Sequence, residues 1–346
     1  MVKILFLHPD LGIGGAERLV LDAALAFKKK GHEVAFYTNH HDSSHCFAET
    51  RDGTLPVTVV GDWIPRSIFG KFKAVCAYAR MVYAAVYLAW YIIPVEEPTL
   101  IFCDLISLCI PFLKMARGPF RVVFYCHHPD KLLSSEGGFL KKAYRAPLNW
   151  LEELTTARAD KVLVNSKYTA RVYQDAFQKI KDVPDICYPS INTEFFKSTT
   201  PKPLKEVVAV GADKFSPSDL DKISLLHYCR ALLYTPSNEH FGIVPLEAMY
   251  FKKPVIAVNS GGPTETIVHA VTGFLCEPTS DSFASAMKEL IEDCKLGEKL
   301  GVAGRKRFET KFSFDAFTEQ LDGILTRERQ IISEARAIEY EQKKNQ

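Results

Sequence analysis

The stretch KILFLHPDLGIGGAERLVLDAALAFKKKGHEVAFYT, residues 3–38, decides the fold. Its two ends, KILFLH (3–8) and EVAFYT (33–38), are short and continuously apolar rather than alternating. Such runs predict strands buried on both faces, as in a parallel sheet. Between them, AERLVLDAALAFKKKG sets apolar residues at helical spacing, carries lysines in its last turn and stops at Gly31. Strand, helix and strand in this order predict an open, doubly wound α/β sheet.

The rhythm continues outward. VTVVG (57–61), TLIFCD (99–104), RVVFYCH (121–127) and KVLVNS (161–166) read as further strands. A second βα series follows: ALLYTPS (231–237), a helix from Pro245, KPVIAVNS (253–260), a helix near Glu265, GFLCEP (273–278) and the helix SFASAMKELIEDC. The Pro-, Ser- and Thr-rich stretch 188–206 between the two series reads as a linker. The expected organisation is a Rossmann-like domain at 1–190, a second at 191–325 and a charged helical tail at 326–346, expected to lie on the surface and fray.

Composition sets limits. With 346 residues, 47% of them hydrophobic, the chain can bury two cores. A net charge of +2 and dispersed basic clusters argue for solvated faces and no nucleic-acid groove. Nine cysteines without a CxxC pair or a Cys/His metal spacing fit free thiols in a reducing compartment. The N-terminal apolar run is too short for a signal peptide. The segment 72–94 is longer, but Lys73 and Arg80 interrupt it and leave thirteen uncharged residues at 81–93. Spanning a bilayer takes about 20, so a buried or interfacial helix is expected.

Four stretches carry chemistry. LGIGGAERL (11–19) follows the first strand and opens a helix, where glycines let N–H groups and the helix dipole meet an anion. The dinucleotide fingerprint fails at its third position, which is Glu17, and a plain tight turn is the alternative. FYCHHPD (124–130) runs from a strand into a loop with two histidines, at the end of the sheet where open α/β folds bind ligands. Either histidine could donate to a sugar hydroxyl, assist proton transfer or bond to backbone alone.

NEHFGIVPLEAM (238–249) sets Glu239 in a loop and Glu247 eight residues on. Pro245 suits a first helical turn, which would put Glu247 in that turn, where the dipole favours its ionised form. Two carboxylates could hold ribose hydroxyls or act as a glycosidase pair. NSGGPTETIV (259–268) adds Gly261 and Gly262 before a helix, a second anion site or again turn chemistry.

Taken in order, these stretches resemble the retaining GT-B glycosyltransferases of family 4. EHFGIVPLE resembles the family's pair of glutamates, SGGPTE its downstream glycine turn, GGAER its first turn, and Asn165–Ser166 its "NS". YCHHPD, APLNWLEE, YPSINTEFF and the block 233–278 resemble most closely the branch that builds α-1,3 and α-1,6 mannose linkages on the asparagine-linked glycan precursor. The likeness covers about 1–195 and 215–325. It implies two Rossmann-like domains facing a cleft, with GDP-mannose as donor, no metal and no further cofactor. The acceptor would be a dolichol-diphosphate-linked oligosaccharide at the cytosolic face of the endoplasmic reticulum membrane, beside other glycosyltransferases of that pathway.

By the same resemblance, Glu239 sits over the transferred mannose and Glu247 on the ribose. His127 contacts the sugar, Gly14 and Gly15 face the phosphate and sugar, and Gly261 and Gly262 lie near the diphosphate. One departure stands out. Only 42 residues separate Phe196 from Glu239. Roughly 70 residues of the family's second domain are expected to be absent, on the ~30-residue size of a βαβ unit. The family's Arg and Lys for the donor phosphates have no match there, and Lys205 and Lys214 are poor substitutes. The alternative function is a transfer-impaired, membrane-associated scaffold.

Overall fold

The computed structural model describes residues 2–133, 139–191, 193, 196–197, 199–202 and 218–344. Lys205, Lys214 and the apolar run near 206–210 lie outside them. The chain divides into two compact units. The first comprises Met1–Asn165, Thr169–Cys187 and Thr318–Gln346, and the second Ser166–Tyr168 and Tyr188–Phe317.

The first unit is built on seven parallel strands: β1 (Lys3–His8), β2 (Glu33–Thr38), β3 (Val57–Val59), β4 (Thr99–Asp104), β5 (Phe120–Cys126), β6 (Lys161–Val164) and β7 (Asp185–Ile186). Their order is β3-β2-β1-β4-β5-β6-β7. The chain winds outward from β1 in one direction and resumes at β4 in the other. The switch point of the sheet therefore lies between β1 and β4. Phe6 stacks on Phe36 of β2 at 4.7 Å and Phe102 of β4 at 5.0 Å, which clamps the three central strands on one face. On the other face Leu5, Leu7, Ile101 and Cys103 pack with Met81, Ala84, Ala85 and Leu88.

Those last four residues belong to the apolar segment flagged in the sequence. It forms the helix Lys73–Tyr87 and a π-type turn Leu88–Ile92. By length and composition Lys73–Ile92 could cross a membrane. Here one of its faces is core, and Arg80 is buried, donating to the Asn39 carbonyl and to Asp62, each at 2.6 Å.

The C-terminal segment differs from the expected fraying tail. Its helix starts at Phe314 and runs to Lys344, and Thr318–Gln346 belongs to the first unit. Leu321, Leu325, Glu328 and Ile332, spaced at 4, 3 and 4, form its buried stripe. The Glu328 carboxylate is nearly inaccessible and accepts from Arg121 Nε at 2.7 Å. Of the sparse apolar positions in the tail, Ile332 is buried in this stripe, whereas Ile331 and Ile338 are exposed.

In the second unit β8 (Leu232–Tyr234), β9 (Val255–Val258) and β10 (Gly273–Cys276) are parallel, in the order β10-β9-β8. β9 is wholly buried, whereas β8 is only half covered, with Leu233 44% exposed. The helix before β9 spans Ile243–Tyr250, led in by Gly242 at φ +79°. It starts two residues before Pro245, so Glu247 falls in its second turn. The dipole argument made for a first-turn Glu247 is corrected accordingly. Helix Cys294–Lys311 packs tightly because a Cβ on Gly301 would lie 1.9 Å from the Lys252 carbonyl oxygen.

Removing Arg121 leaves the Glu328 carboxylate buried against the first unit. Arg121→Met is expected to destabilise that unit by about 3–5 kcal/mol, read by urea denaturation. Unchanged stability would show that the C-terminal helix is not anchored there.

Candidate active site

At the switch point of the first sheet, β1 and β4 end in His8 and Asp104, both buried. His8 Nδ1 lies 2.7 Å from Asp104 Oδ1. His127, one residue past the end of β5, brings Nε2 to 2.9 Å from Asp104 Oδ2. The two carboxylate oxygens thus hold one imidazole each. His127 rests against the Tyr125 ring at 4.8 Å, and its carbonyl accepts from Asn165 Nδ2 at 3.4 Å.

Burial alone would oppose charge on His8, but Asp104, with a smaller contribution from Glu17, overcomes it and raises the imidazole to about 10. Burial likewise opposes charge on Asp104, and the two histidines outweigh it, holding the carboxyl below its ordinary range. An ionised carboxylate only accepts, so His127 carries its proton on Nε2. When neutral it presents Nδ1 as an acceptor, the reverse of a ring that donates to a sugar hydroxyl.

Gly14 precedes the helix Gly15–Lys29, whose Ncap gives no side-chain hydrogen bond. The space over Gly14 is filled by the Glu17 carboxylate, which would lie 2.3 Å from an added Cβ, while nothing lies within 4 Å of Gly15. Glu17 Oε1 stands 3.8 Å from His8 Nε2, an ion-pair distance and too long for a hydrogen bond.

In the second unit, Glu239 lies in the loop after β8. That loop is pinned from several sides. Gly262 N–H donates to the Glu239 carbonyl at 2.7 Å, Asn238 N–H to Ser260 Oγ at 3.0 Å, and Ser166 Oγ–H to the His240 carbonyl at 2.5 Å. Gly261, at φ +64°, and Gly262 are required by close approach. Their Cβ atoms would lie 2.4 Å from the Glu239 carbonyl oxygen and 2.3 Å from Phe241 Cα. The Gly262 N–H is thus committed to protein, and the turn seats the Glu239 loop. Burial and the adjacent Glu239 carboxylate push the Tyr234 hydroxyl up to about 12.

Glu247 is buried, at 7% exposure, and Lys222 Nζ donates to its Oε1 at 2.8 Å. Glu265 receives the N–H groups of Lys167 and Tyr168 at 2.9 and 2.7 Å, together with the Tyr188 hydroxyl at 3.1 Å, so it is a structural anchor.

Glutamates eight residues apart, the first seated by a glycine turn and the second on the following helix, occur here on a second parallel-sheet unit that follows a first. That arrangement belongs to the GT-B glycosyltransferases. Residues 13–195 match the family described as Glycosyltransferase Family 4, and 214–307 the one described as Glycosyl transferases group 1. The human alpha-1,3/1,6-mannosyltransferase ALG2 is 43% identical over 402 residues, covering 94% of this chain and 96% of its own. The relative of the same description from Rhizomucor pusillus is 36% identical over 94% of this chain and 91% of its own. The chain belongs to the alpha-1,3/1,6-mannosyltransferase ALG2 family of GT-B glycosyltransferases.

Two solved structures share the fold. Sucrose-phosphate synthase from Thermosynechococcus elongatus has a TM-score of 0.71 at 17% identity, over 96% of this chain and 100% of its own. Anabaena HepE, in complex with UDP-glucose, has 0.63 at 18%, over 94% and 100%. The human alignment is longer than this chain, 402 against 346, so the alignment holds at least 56 positions that this chain lacks.

Of the residues singled out in the sequence, Gly14, Gly15 and His127 fall in the first unit and Glu239, Glu247, Gly261 and Gly262 in the second. The sequence reading missed His8, Asp104 and Lys222. The signal for the first two was present: each is the polar residue closing an apolar run.

The pair makes stability depend on pH. A histidine raised from 6.5 to about 10 on folding contributes stability that is complete below pH 6.5 and lost as pH rises through 10. His8→Asn is therefore expected to melt lower at pH 6.5, with a smaller further fall by pH 10 than the parent. Parallel melting curves would refute the charged pair. Gly262→Ala has no flexible side chain to push aside and should lose about 1–3 kcal/mol, whereas Gly15→Ala should keep the parent's melting temperature.

Proposed function

We propose that the protein moves mannose from GDP-mannose to a dolichol-diphosphate-linked oligosaccharide, forming α-1,3 and α-1,6 linkages in assembly of the N-glycan precursor. The observation that carries the reading is the seated pair Glu239 and Glu247 on a chain 43% identical to a named mannosyltransferase. The donor is a nucleotide sugar and the acceptor a glycan; GDP-mannose and the dolichol carrier follow from the relatives' activity. The reaction would take place at the cytosolic face of the endoplasmic reticulum membrane.

In this reading the bond from the mannose anomeric carbon to the donor's β-phosphate oxygen breaks and GDP leaves. The acceptor hydroxyl oxygen attacks the same face of that carbon, and its proton passes to the departing diphosphate. Glu239 stabilises the positive charge that develops on the sugar, acting as a fixed dipole partner. Glu247 accepts from the ribose hydroxyls, its Oε1 held by Lys222. His127 meets a sugar hydroxyl through Nδ1, and the Gly14–Gly15 turn faces the phosphate and sugar. A transfer-impaired scaffold is not favoured, since both glutamates and the loop contacts that seat Glu239 are present.

The test is radiolabel transfer from GDP-mannose to a synthetic dolichol-type acceptor in membranes. Glu239→Ala is expected to lower the rate on the order of 10²–10³-fold, with the melting temperature retained. A variant at parent rate would remove Glu239 from the chemistry.

A further inference from the structure

Between β3 and the helix Lys73–Tyr87, Ile68 and Lys71 exchange both backbone hydrogen bonds, at 3.0 and 2.9 Å. They close a two-residue turn at Phe69 and Gly70, both with positive φ, +50° and +68°. This is the type I′ geometry, whose first central position favours Asn, Asp or Gly. A bulky aromatic there is a backbone outlier, and Phe69 is 97% exposed. Phe72, three residues on, repeats the oddity at φ +58° and is also exposed. The Phe69 ring stands almost wholly in solvent, so packing within the chain gives no reason for an aromatic residue at the tip.

The surroundings point to one occupant. Residues 63–73 include Arg66, Lys71 and Lys73 and no acidic residue. The base of the loop is fixed: Asn39 Nδ2 donates to the Val60 carbonyl at 2.8 Å, and Arg80 holds Asp62. The tip therefore projects from a firm base. A two-residue convex turn is far too small for a stable protein interface, which buries about 800 Å² per partner. Aromatic and aliphatic tips ringed by lysine and arginine suit the headgroup region of a bilayer, with anionic lipid drawing the cations. The loop also leaves the carboxyl end of β3, the end of the sheet that carries His8 and Asp104. Arg66 reaches Asp10 in the glycine loop at 3.5 Å.

We propose that turn 68–71, with Phe69 at its tip and Phe72 beside it, is a membrane anchor that docks the first unit on an anionic bilayer. The proposal rests on the lipid-linked acceptor reading for its purpose, and it adds the surface and the lipid charge that would bring the unit to such a substrate.

The test is flotation of the full chain with phosphatidylcholine vesicles, with and without phosphatidylserine. Phe69→Asn suits the left-handed backbone, so its melting temperature should equal or exceed the parent's, while its vesicle affinity falls roughly tenfold or more. Lys71→Glu with Lys73→Glu should abolish the preference for phosphatidylserine. A parent that does not float, or Phe69→Asn floating like the parent, overturns the anchor. So does self-association in sedimentation without lipid that Phe69→Asn abolishes, which would assign the turn to a second copy. Mannose transfer to a short, water-soluble acceptor should be the same in Phe69→Asn and parent. If that transfer is absent in both while flotation persists, the transferase reading falls and the anchor stands.

Discussion

A carboxylate removed from water destabilises a fold by several kcal/mol unless hydrogen-bond donors meet it. Asp104, fully buried at the switch point of the first sheet, is met by two imidazoles, and much of that end of the unit follows from this arrangement. The register delivers it. Leu7 pairs with Cys103 and Cys103 with Phe124, so the residues beyond them arrive side by side at the sheet edge. The Phe6–Phe36–Phe102 stack beneath holds that register. Asp104 accepts from His127 Nε2 as well, which fixes that ring's orientation and leaves Nδ1 on its other side.

The second unit seats its Glu239 loop by close backbone contact. Gly261 and Gly262 let one backbone lie directly on another, and the Gly262 N–H closes the contact on the Glu239 carbonyl. A carboxylate that must stabilise a developing cation gains from a backbone that cannot relax. Here the loop is fixed at the Glu239 and His240 carbonyls and at the Asn238 amide, with the Tyr234 hydroxyl beside the Glu239 carboxylate. Glu247 is treated in the opposite way. It is buried and paired with Lys222.

What was legible in the sequence was local. The six strands read in the first series formed; the buried ones did because an apolar run buried on two faces can hardly be anything else at that length, while β3 is a short, mostly exposed edge. The pairing of His8 with Asp104 was not legible, since it spans 96 positions and needs the strand order. The start of the helix Ile243–Tyr250 was misplaced because Pro245 was weighed and Gly242 was not. A glycine at φ +79° ends the preceding loop, and the proline then serves as the third residue of the helix. The C-terminal stripe of Leu321, Leu325 and Ile332 lies mostly before the scattered isoleucines of the tail, and the pairing of Arg121 with the buried Glu328 carboxylate helps explain why so charged a helix docks. The short strand β7, two residues long, has no sequence signature at all.

The shortening of the chain leaves a trace in β8. A strand inside a parallel sheet is covered on both faces and paired on both edges, as β9 is. β8 pairs with β9 alone among the described strands, and it exposes Leu233. An apolar, half-covered edge is what remains when neighbouring βα units are removed from such a sheet. The human relative's alignment holds at least 56 positions that this chain lacks. The glutamates tolerate the loss because their support is short-range. Glu239 depends on a turn some 22 residues downstream, through the Asn238–Ser260 bond and the Gly262 amide. Glu247 depends on its own helix and on Lys222, 25 positions upstream. The surroundings of both glutamates thus form around the three described strands of the second unit.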